Sequence, residues 1–385
     1  MQVRFIFFFL VSILPAFGQI GIIRSVAGTG SADFTGDSGQ AQNASLSFPT
    51  SVAVDSSGNI YIADSGNNRV RRIAAQGVVT GDGTITTFAG NGNAISSGDG
   101  GQATSAGLNR PYALAFDRNG NLYIGELNGN RVRRVTPSGI ISTVAGTGAQ
   151  GFSGDGGQAV NAQIARVNSI AIDTTGNLFI ADSLNNRIRK VTTNGIITTV
   201  AGNGNTGGTG DGGQAVNATM TAPTGVAVDA SGNLYIVSPT LHRVRKVDTN
   251  GVINNFAGTG VPAFTGDGGP ALAATLNAPY GVSVDTAGSV YITDNNNNAV
   301  RKVTNGTITT IAGGNGTGTF GDGSLARLRL ALDVSEPKDI QGAYRRALVL
   351  ITLAGGLIAA ILGLAVVRQG LLPLRRMATA AGEIT

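Results

Sequence analysis

Short runs in which apolar and polar positions alternate recur along most of the chain. In the first set the alternation marks Val52 and Val54, then Ile60 and Ile62, then Val70; a further stretch, Ile85-Thr-Thr-Phe-Ala-Gly90, closes the unit. β-Branched and aromatic residues at period two, bounded by Gly, Asn, Asp and Ser, predict strands. The Asp that ends the first strand returns at Asp55, Asp117, Asp173, Asp229 and Asp285, in steps of 62, 56, 56 and 56 residues. Extra residues around 78–83 account for the longer first step. A repeat of this length, made of short strands, predicts a radial array of four-stranded blades, with strands a, b, c and d running outward from the axis.

The a–b turns read Asp55-Ser-Ser-Gly58-Asn59 in the first copy and keep Asp and Gly in all five. Asp bonds its own backbone two residues on and Gly supplies positive φ, so these Asp residues are expected to hold turns. Between blades lies a second fixed element, such as Ala145-Gly-Thr-Gly148 followed by Gly154-Asp155. A short apolar-spaced segment follows it, such as 214–220, predicted as one or two helical turns ended by Pro223. Asp99, Asp155, Asp211 and Asp267 in these crossovers are expected to brace turns.

The D-x-x-G-N turn and the N-x-R-V-R-[RK]-[VI] strand, as in "PTGVAVDASGNLYIVSPTLHRVRKV", resemble the NHL-repeat β-propeller family over residues 22–323. The resemblance implies a six-bladed propeller that binds proteins, peptides, nucleic acid or small ligands; a minority of relatives are metal-dependent lyases or lactonases. The copies differ. Ser238 and Leu241-His242 stand where copy one has Asp64 and Asn67-Asn68, and Ala299 replaces the Arg found at 69, 131, 187 and 243. If Asp64, Glu126, Asp182 and Asp294 pair with those arginines, copies four and five each lose a partner, a surface loss of under about 1 kcal/mol.

The d pattern occurs six times and the a–b–c pattern five times. The fold class is therefore all-β: an NHL-type propeller of five full blades plus a partial sixth over residues 19–323, followed by a single C-terminal transmembrane α-helix. The strand near Ile22–Val26 supplies the partial blade. Leu328, Leu330, Leu332 and Val334 alternate with polar or small residues and could lend a replacement strand. Otherwise the ring stays open or tightens to five.

Both ends read as targeting segments. Residues 1–18 carry Arg4, an apolar run and small residues before a cut at Gly18/Gln19, a secretory signal peptide. Residues 347–367 are 21 uncharged residues, enough to span a hydrocarbon core of ~30 Å. The signal peptide orients the propeller outside (periplasmic or extracellular), anchored in the cytoplasmic membrane with the C-terminus inside. Gly355, Ala359 and Gly363 at four-residue spacing permit a helix–helix dimer. The juxtamembrane segment 324–346, the span and the linker start 368–385 resemble the second membrane helix of a bacterial sensor histidine kinase entering its HAMP linker. No kinase domain follows in this sequence.

Charge narrows the chemistry. Lys plus Arg balance Asp plus Glu over residues 5–324, so the chain's +5 comes from its ends and does not point to nucleic acid. There is one His, His242, and no Cys, which argues against a zinc or histidine-based catalytic site. No cofactor is implied. The candidate ligand face is the rim carrying the b–c loops and crossovers: Asp64, Asn67, Asn68, Glu126, Asn128, Asp182, Asn185, Ser238, His242, Asp294 and Asn296. These residues suit a protein, peptide or polar ligand, and equally make ordinary turns. The expected function is an exported, membrane-anchored, non-catalytic binding module, such as a truncated receptor ectodomain. Two rivals stand beside it: a secreted propeller fused artefactually or recently to a sensor-kinase fragment, and a calcium-dependent propeller hydrolase or lyase.

Overall fold

The computed structural model describes residues 25–75 and 83–314. The signal segment, residues 22–24 of the first d strand, the 328–334 alternation, the membrane span with Gly355, Ala359 and Gly363, and the linker start lie outside the described residues.

Five antiparallel sheets of four strands follow one another. Blade 1 comprises β1 (Pro49–Val54), β2 (Ile60–Asp64), β3 (Arg69–Ile73) and β4 (Ile85–Ala89). Blade 2 comprises β5 (Pro111–Phe116), β6 (Leu122–Glu126), β7 (Arg131–Val135) and β8 (Ile141–Ala145). Blade 3 holds β9 (Val167–Ile172), β10 (Leu178–Asp182), β11 (Arg187–Val191) and β12 (Ile197–Ala201). Blade 4 holds β13 (Gly225–Val228), β14 (Leu234–Ser238), β15 (Arg243–Val247) and β16 (Ile253–Ala257). Blade 5 holds β17 (Pro279–Val284), β18 (Val290–Asp294), β19 (Ala299–Thr304) and β20 (Thr307–Gly313). The all-β propeller expectation holds for these five blades.

Inner strands pack in chain order, β1 on β5, β5 on β9, β9 on β13 and β13 on β17. Period two gives each sheet two apolar faces. The small–aromatic–small face of one blade (Ala53, Tyr61, Ala63) meets the aliphatic face of the next (Leu114, Leu122, Ile124). Blades 2/3, 3/4 and 4/5 repeat this sandwich. Burying one such Leu or Ile stabilises by about 1.5–3 kcal/mol, so the blade interfaces are the core of the molecule.

Sequence alternation missed one device. Between β3 and β4, Val70 faces Ala89 but Arg71 faces Thr87, leaving Phe88 as an extra residue. The same register shift leaves Val144, Val200, Phe256 and Ile311 unpaired in β8, β12, β16 and β20. A bulge re-aims its side chain, and Phe88, Val144, Val200 and Phe256 each turn into the interface with the following blade.

The Asp turns are as expected. Asp55 Oδ1 accepts the backbone N–H of Ser57 and Asn59, and Oδ2 accepts the Asn59 side chain at 2.7 Å. The crossover into blade 5 has a plain turn at 271–273, and those into blades 1 to 4 each carry a single 3₁₀ turn, as at Ala215–Asn217. It ends at extended Ala218, not at Pro223, because the Ala side chain is buried where the chain must turn back.

Crossover glycines separate two costs. A Cβ on Gly154 (φ +85°) would stand 2.7 Å from the Ala162 Cβ, whereas one on Gly156 (φ +82°) would meet nothing within 4 Å. Gly156→Ala should cost about 1–2 kcal/mol for its left-handed backbone alone. Gly154→Ala should cost clearly more, and urea unfolding midpoints of the two variants compare them directly.

Candidate binding face

Strand c carries Arg at alternate positions, so Arg69 and Arg71 share a side of β3. Arg71 is fully buried. Its Nη2 lies 2.6 Å from Asp37 in the preceding crossover, and its Nη1 lies 3.4 Å from Asp64 at the end of β2. Blades 2, 3 and 5 repeat this with Arg133–Asp99–Glu126, Arg189–Asp155–Asp182 and Arg301–Asp267–Asp294. The expected pairing of the b-strand acids with Arg69, Arg131, Arg187 and Arg243 is therefore corrected. Those arginines donate to backbone carbonyls instead, as Arg187 does to Asn185 and Asn203 at 3.0 and 2.8 Å. The partner sits two residues further on because the crossover closes over that position and not over the first. It follows that Ala299 removes no ion pair from blade 5, and that these pairs are interior. The crossover Asp residues, expected to brace turns, grip the buried arginine and the outer strand: Asp155 takes Arg189 and the Thr199 hydroxyl, both at 2.7 Å.

Desolvation dominates the inner carboxylates. Burial pushes Asp64, Glu126, Asp182 and Asp294 above the usual carboxylate range, against hydrogen bonds and the neighbouring guanidinium that pull them down. Asp99 goes the other way: partial burial raises it, but Thr143 and the Arg133 guanidinium outweigh that and hold it below the usual range.

The remaining candidate residues fix the loops around these acids. Asn67 donates to Asp64 and to the Asp33 carbonyl, both at 2.8 Å. Asn185 and Asn297 do the same in blades 3 and 5. Blade 2 uses a longer acid: Glu126 takes the hydroxyl of Ser96, and Gly129 leaves room for its carboxylate, which a Cβ there would strike. Blade 4 removes the polar set together, with Ser238 for the acid and Leu241 for the Asn. The Leu241 side chain lies beside Gly208, which stands where blades 1, 3 and 5 have Phe34, Phe152 and Phe264. Asn68 is left-handed and its Oδ1 accepts the Arg110 N–H of the next blade at 3.0 Å. His242 substitutes for it, Nδ1 accepting from Ala278 at 3.0 Å. Asn128 and Asn296 are exposed.

The axial mouth was not foreseen. Thr50, Tyr112, Asn168, Thr224 and Tyr280 occupy one repeat position, the second residue of β1, β5, β9 and β17 and the residue just before β13, and form a collar of uncharged polar side chains. Tyr112 and Tyr280 join hydroxyl to hydroxyl at 2.8 Å across the axis. Below lies a cavity of about 230 Å³ walled by Ser51, Leu114, Ser169, Ile170 and Val226. Farther from the axis, the crossovers and the blade 3 loop expose Ile95, Phe152, Leu184, Val261 and Phe264, with Phe152 and Phe264 lying over strand-c arginines. The guanidinium of Arg187 stacks on Phe152 at 3.8 Å. Among the described residues no three His, Asp or Glu side chains converge as metal ligands.

Arg189→Met leaves Asp182 buried beside no paired cation and should cost about 3–5 kcal/mol at neutral pH. Arg245→Met should cost less, because Arg245 pairs only with Asp211, whose side chain is 32% exposed, and Ser238 is neutral. Asp182 has a folded pKa above its unfolded one. That shift favours the fold below the unfolded pKa and is lost as pH rises through the folded value. The Arg189→Met deficit should therefore shrink on acidification, as read from urea unfolding across pH.

The comparisons agree with this geometry. The family model described as NHL repeat matches residues 46–73, and that described as Teneurin NHL domain matches residues 148–209, 204–262 and 261–321. Teneurin-3 of Mus musculus is 34% identical over 174 residues, covering 41% of this chain and 6% of its own length. Teneurin-4 of Homo sapiens is 30% identical over 278 residues, covering 64% of this chain and 10% of its own. The chain thus spans a tenth or less of the length of these relatives. An auxiliary nutrient binding protein from Bacteroides thetaiotaomicron superposes with a TM-score of 0.50 at 16% identity, over 70% of this chain and 61% of that one, a likeness of fold alone. With its repeat motif, blade geometry and family matches in agreement, the chain belongs to the NHL-repeat β-propeller family.

Proposed function

We propose that this protein is a non-catalytic binding module whose partner is a protein or peptide seated on the crossover and b–c loop face. The carrying observation is the set of large apolar side chains exposed there: Ile95 at 70%, Val261 at 59%, with Leu184, Phe152 and Phe264. Large apolar side chains exposed among uncharged polar loops are the composition of an interaction surface. The buried acids beneath hold the loops still, so Asn128 and Asn296 and the apolar rim meet a partner from a rigid base. The signal-like sequence of residues 1–18 and the uncharged run 347–367 support a location outside the cell on a membrane anchor.

Peptides selected from a random display library against the intact protein should bind this face. Ile95→Asp with Val261→Asp should weaken the selected peptides by about tenfold or more, since central apolar anchors carry most of such binding, with an unchanged melting temperature. Retained affinity would move the site elsewhere. Protease added to intact cells expressing the chain should remove the propeller and leave a membrane-bound remnant; a protected propeller would refute the placement.

A further inference from the structure

The bulge residue of the outer strand helps to cover the aromatic side chain on strand b. In blade 1 Phe88 stands edge-on to Tyr61 with ring centroids 4.8 Å apart, and in blade 4 Phe256 stands edge-on to Tyr235 at 4.9 Å. Both tyrosines are buried, as are Phe179 and Tyr291 at the same position of blades 3 and 5. Tyr123 of blade 2 is partly exposed, and the bulge residue there is Val144. Val200 in blade 3 is as small, but Lys190 lies over the Phe179 ring, its Nζ 5.8 Å from the centroid. Blade 2 has Arg134 at the Lys190 position, and its guanidinium bonds the Tyr123 hydroxyl.

A groove of about 640 Å³ opens beside Tyr123. The a–b turns of blades 2 and 3 and the c–d turn of blade 3 line it, so it lies at the opposite ends of the strands from the b–c loop face. Its apolar wall includes Val144, Leu178 and the crossover residue Val160, which is 43% exposed. Asp117 and Asp173 also line the groove, but each is committed to its own turn. Asp117 Oδ1 accepts the N–H of Asn119 and Asn121, and Oδ2 accepts the Asn121 side chain. Asp173 is held likewise by Thr175 and Asn177. Exposed Arg118 and Arg134 balance the two acids in charge. Arg134 is the group with an unmet need: its Nε is buried and has no hydrogen-bond partner among the described residues. A buried donor without an acceptor is costly, so the site favours an occupant that brings one.

We propose that this groove binds a small aromatic carboxylate. The ring takes the place beside Tyr123 that Phe88 and Phe256 take beside Tyr61 and Tyr235, where edge-to-face pairing adds to burial. The carboxylate accepts from Nε and a terminal nitrogen of Arg134, the planar fork that such groups fit. A neutral head group offers Arg134 a weaker acceptor, and a cationic one offers none. The occupant is thus defined by what blade 2 lacks beside its own sister blades: one ring and one acceptor. The groove is remote from the face assigned to a protein or peptide, so either site can fail without the other.

Hydrocinnamate is the probe, titrated into the intact protein and followed by ligand-observed NMR. It should bind. Hydrocinnamyl alcohol, which keeps the ring and loses the charge, should bind about tenfold more weakly, the difference expected of a charge-assisted hydrogen bond. Val144→Phe supplies the ring from within the chain. Binding should then be lost while the melting temperature holds or rises, because blades 1 and 4 already carry Phe at that position. Val200→Phe, the same change in blade 3, should leave binding unaltered. Arg134→Met should weaken hydrocinnamate about tenfold and barely affect the alcohol. The proposal is overturned if hydrocinnamate does not bind, if the alcohol binds equally well, or if folded Val144→Phe binds hydrocinnamate as well as the unaltered chain.

Discussion

The buried guanidinium is the constraint on which the rest of this propeller depends. Arg71 offers Nε and Nη2 to Asp37, Nη2 also to the Thr35 carbonyl, and Nη1 to Asp64. Asp64 in turn receives Ser47 N–H at 2.7 Å and Asn67. One side chain on strand c thereby fixes the crossover that enters the blade and the loop that leaves strand b. A buried ion pair is weak evidence for net stability, because desolvation offsets most of the attraction. Its consequence is geometric. The planar fork accepts only one arrangement of its partners, so the crossover path and the height of the binding face are set together.

The compensated departures support this view. Blade 2 lengthens the acid and shortens the loop residue; blade 4 drops acid, amide and aromatic at once. In both, the outer pair to the crossover Asp survives: Arg133–Asp99 at 2.6 Å and Arg245–Asp211 at 2.5 Å. The inner carboxylate varies while the crossover contact does not. The propeller tolerates changes in how the b–c loop is tied down, and keeps the contact that determines where one blade hands over to the next.

Much of the architecture was legible because period two, Asp-x-x-Gly turns and a fixed repeat are local signals. The five blades and the role of Asp55, Asp117, Asp173, Asp229 and Asp285 follow from them. The ion pairs were not, because the partner of Arg71 lies in a crossover whose course no local pattern predicts, and the nearer Arg69 offers a plausible decoy. The bulge at Phe88 was hidden for a related reason: one extra residue changes which side chains face inward without changing composition. Of the candidate face, the amide-rich loops were visible in sequence, but the part they play in holding neighbouring loops and blades needed coordinates. The exposed apolar rim is scattered over three crossovers and one loop, and only the ring gathers it.

A repeat protein also makes its own controls. Each position occurs five times, so a side chain that behaves unlike its four equivalents marks a local change in surroundings. By that test His242 is ordinary, since its Nδ1 makes the contact that Asn68, Asn130 and Asn186 make. Ile311 and Phe48 are not, since both are uncovered where their equivalents or neighbours are engaged. The first kind of difference is a substitution that conserves a bond; the second is a bond or contact with nothing described on its other side. Function is better sought at the second, and for this chain it directs attention to Ile311 and Phe48 as well as to the mouth.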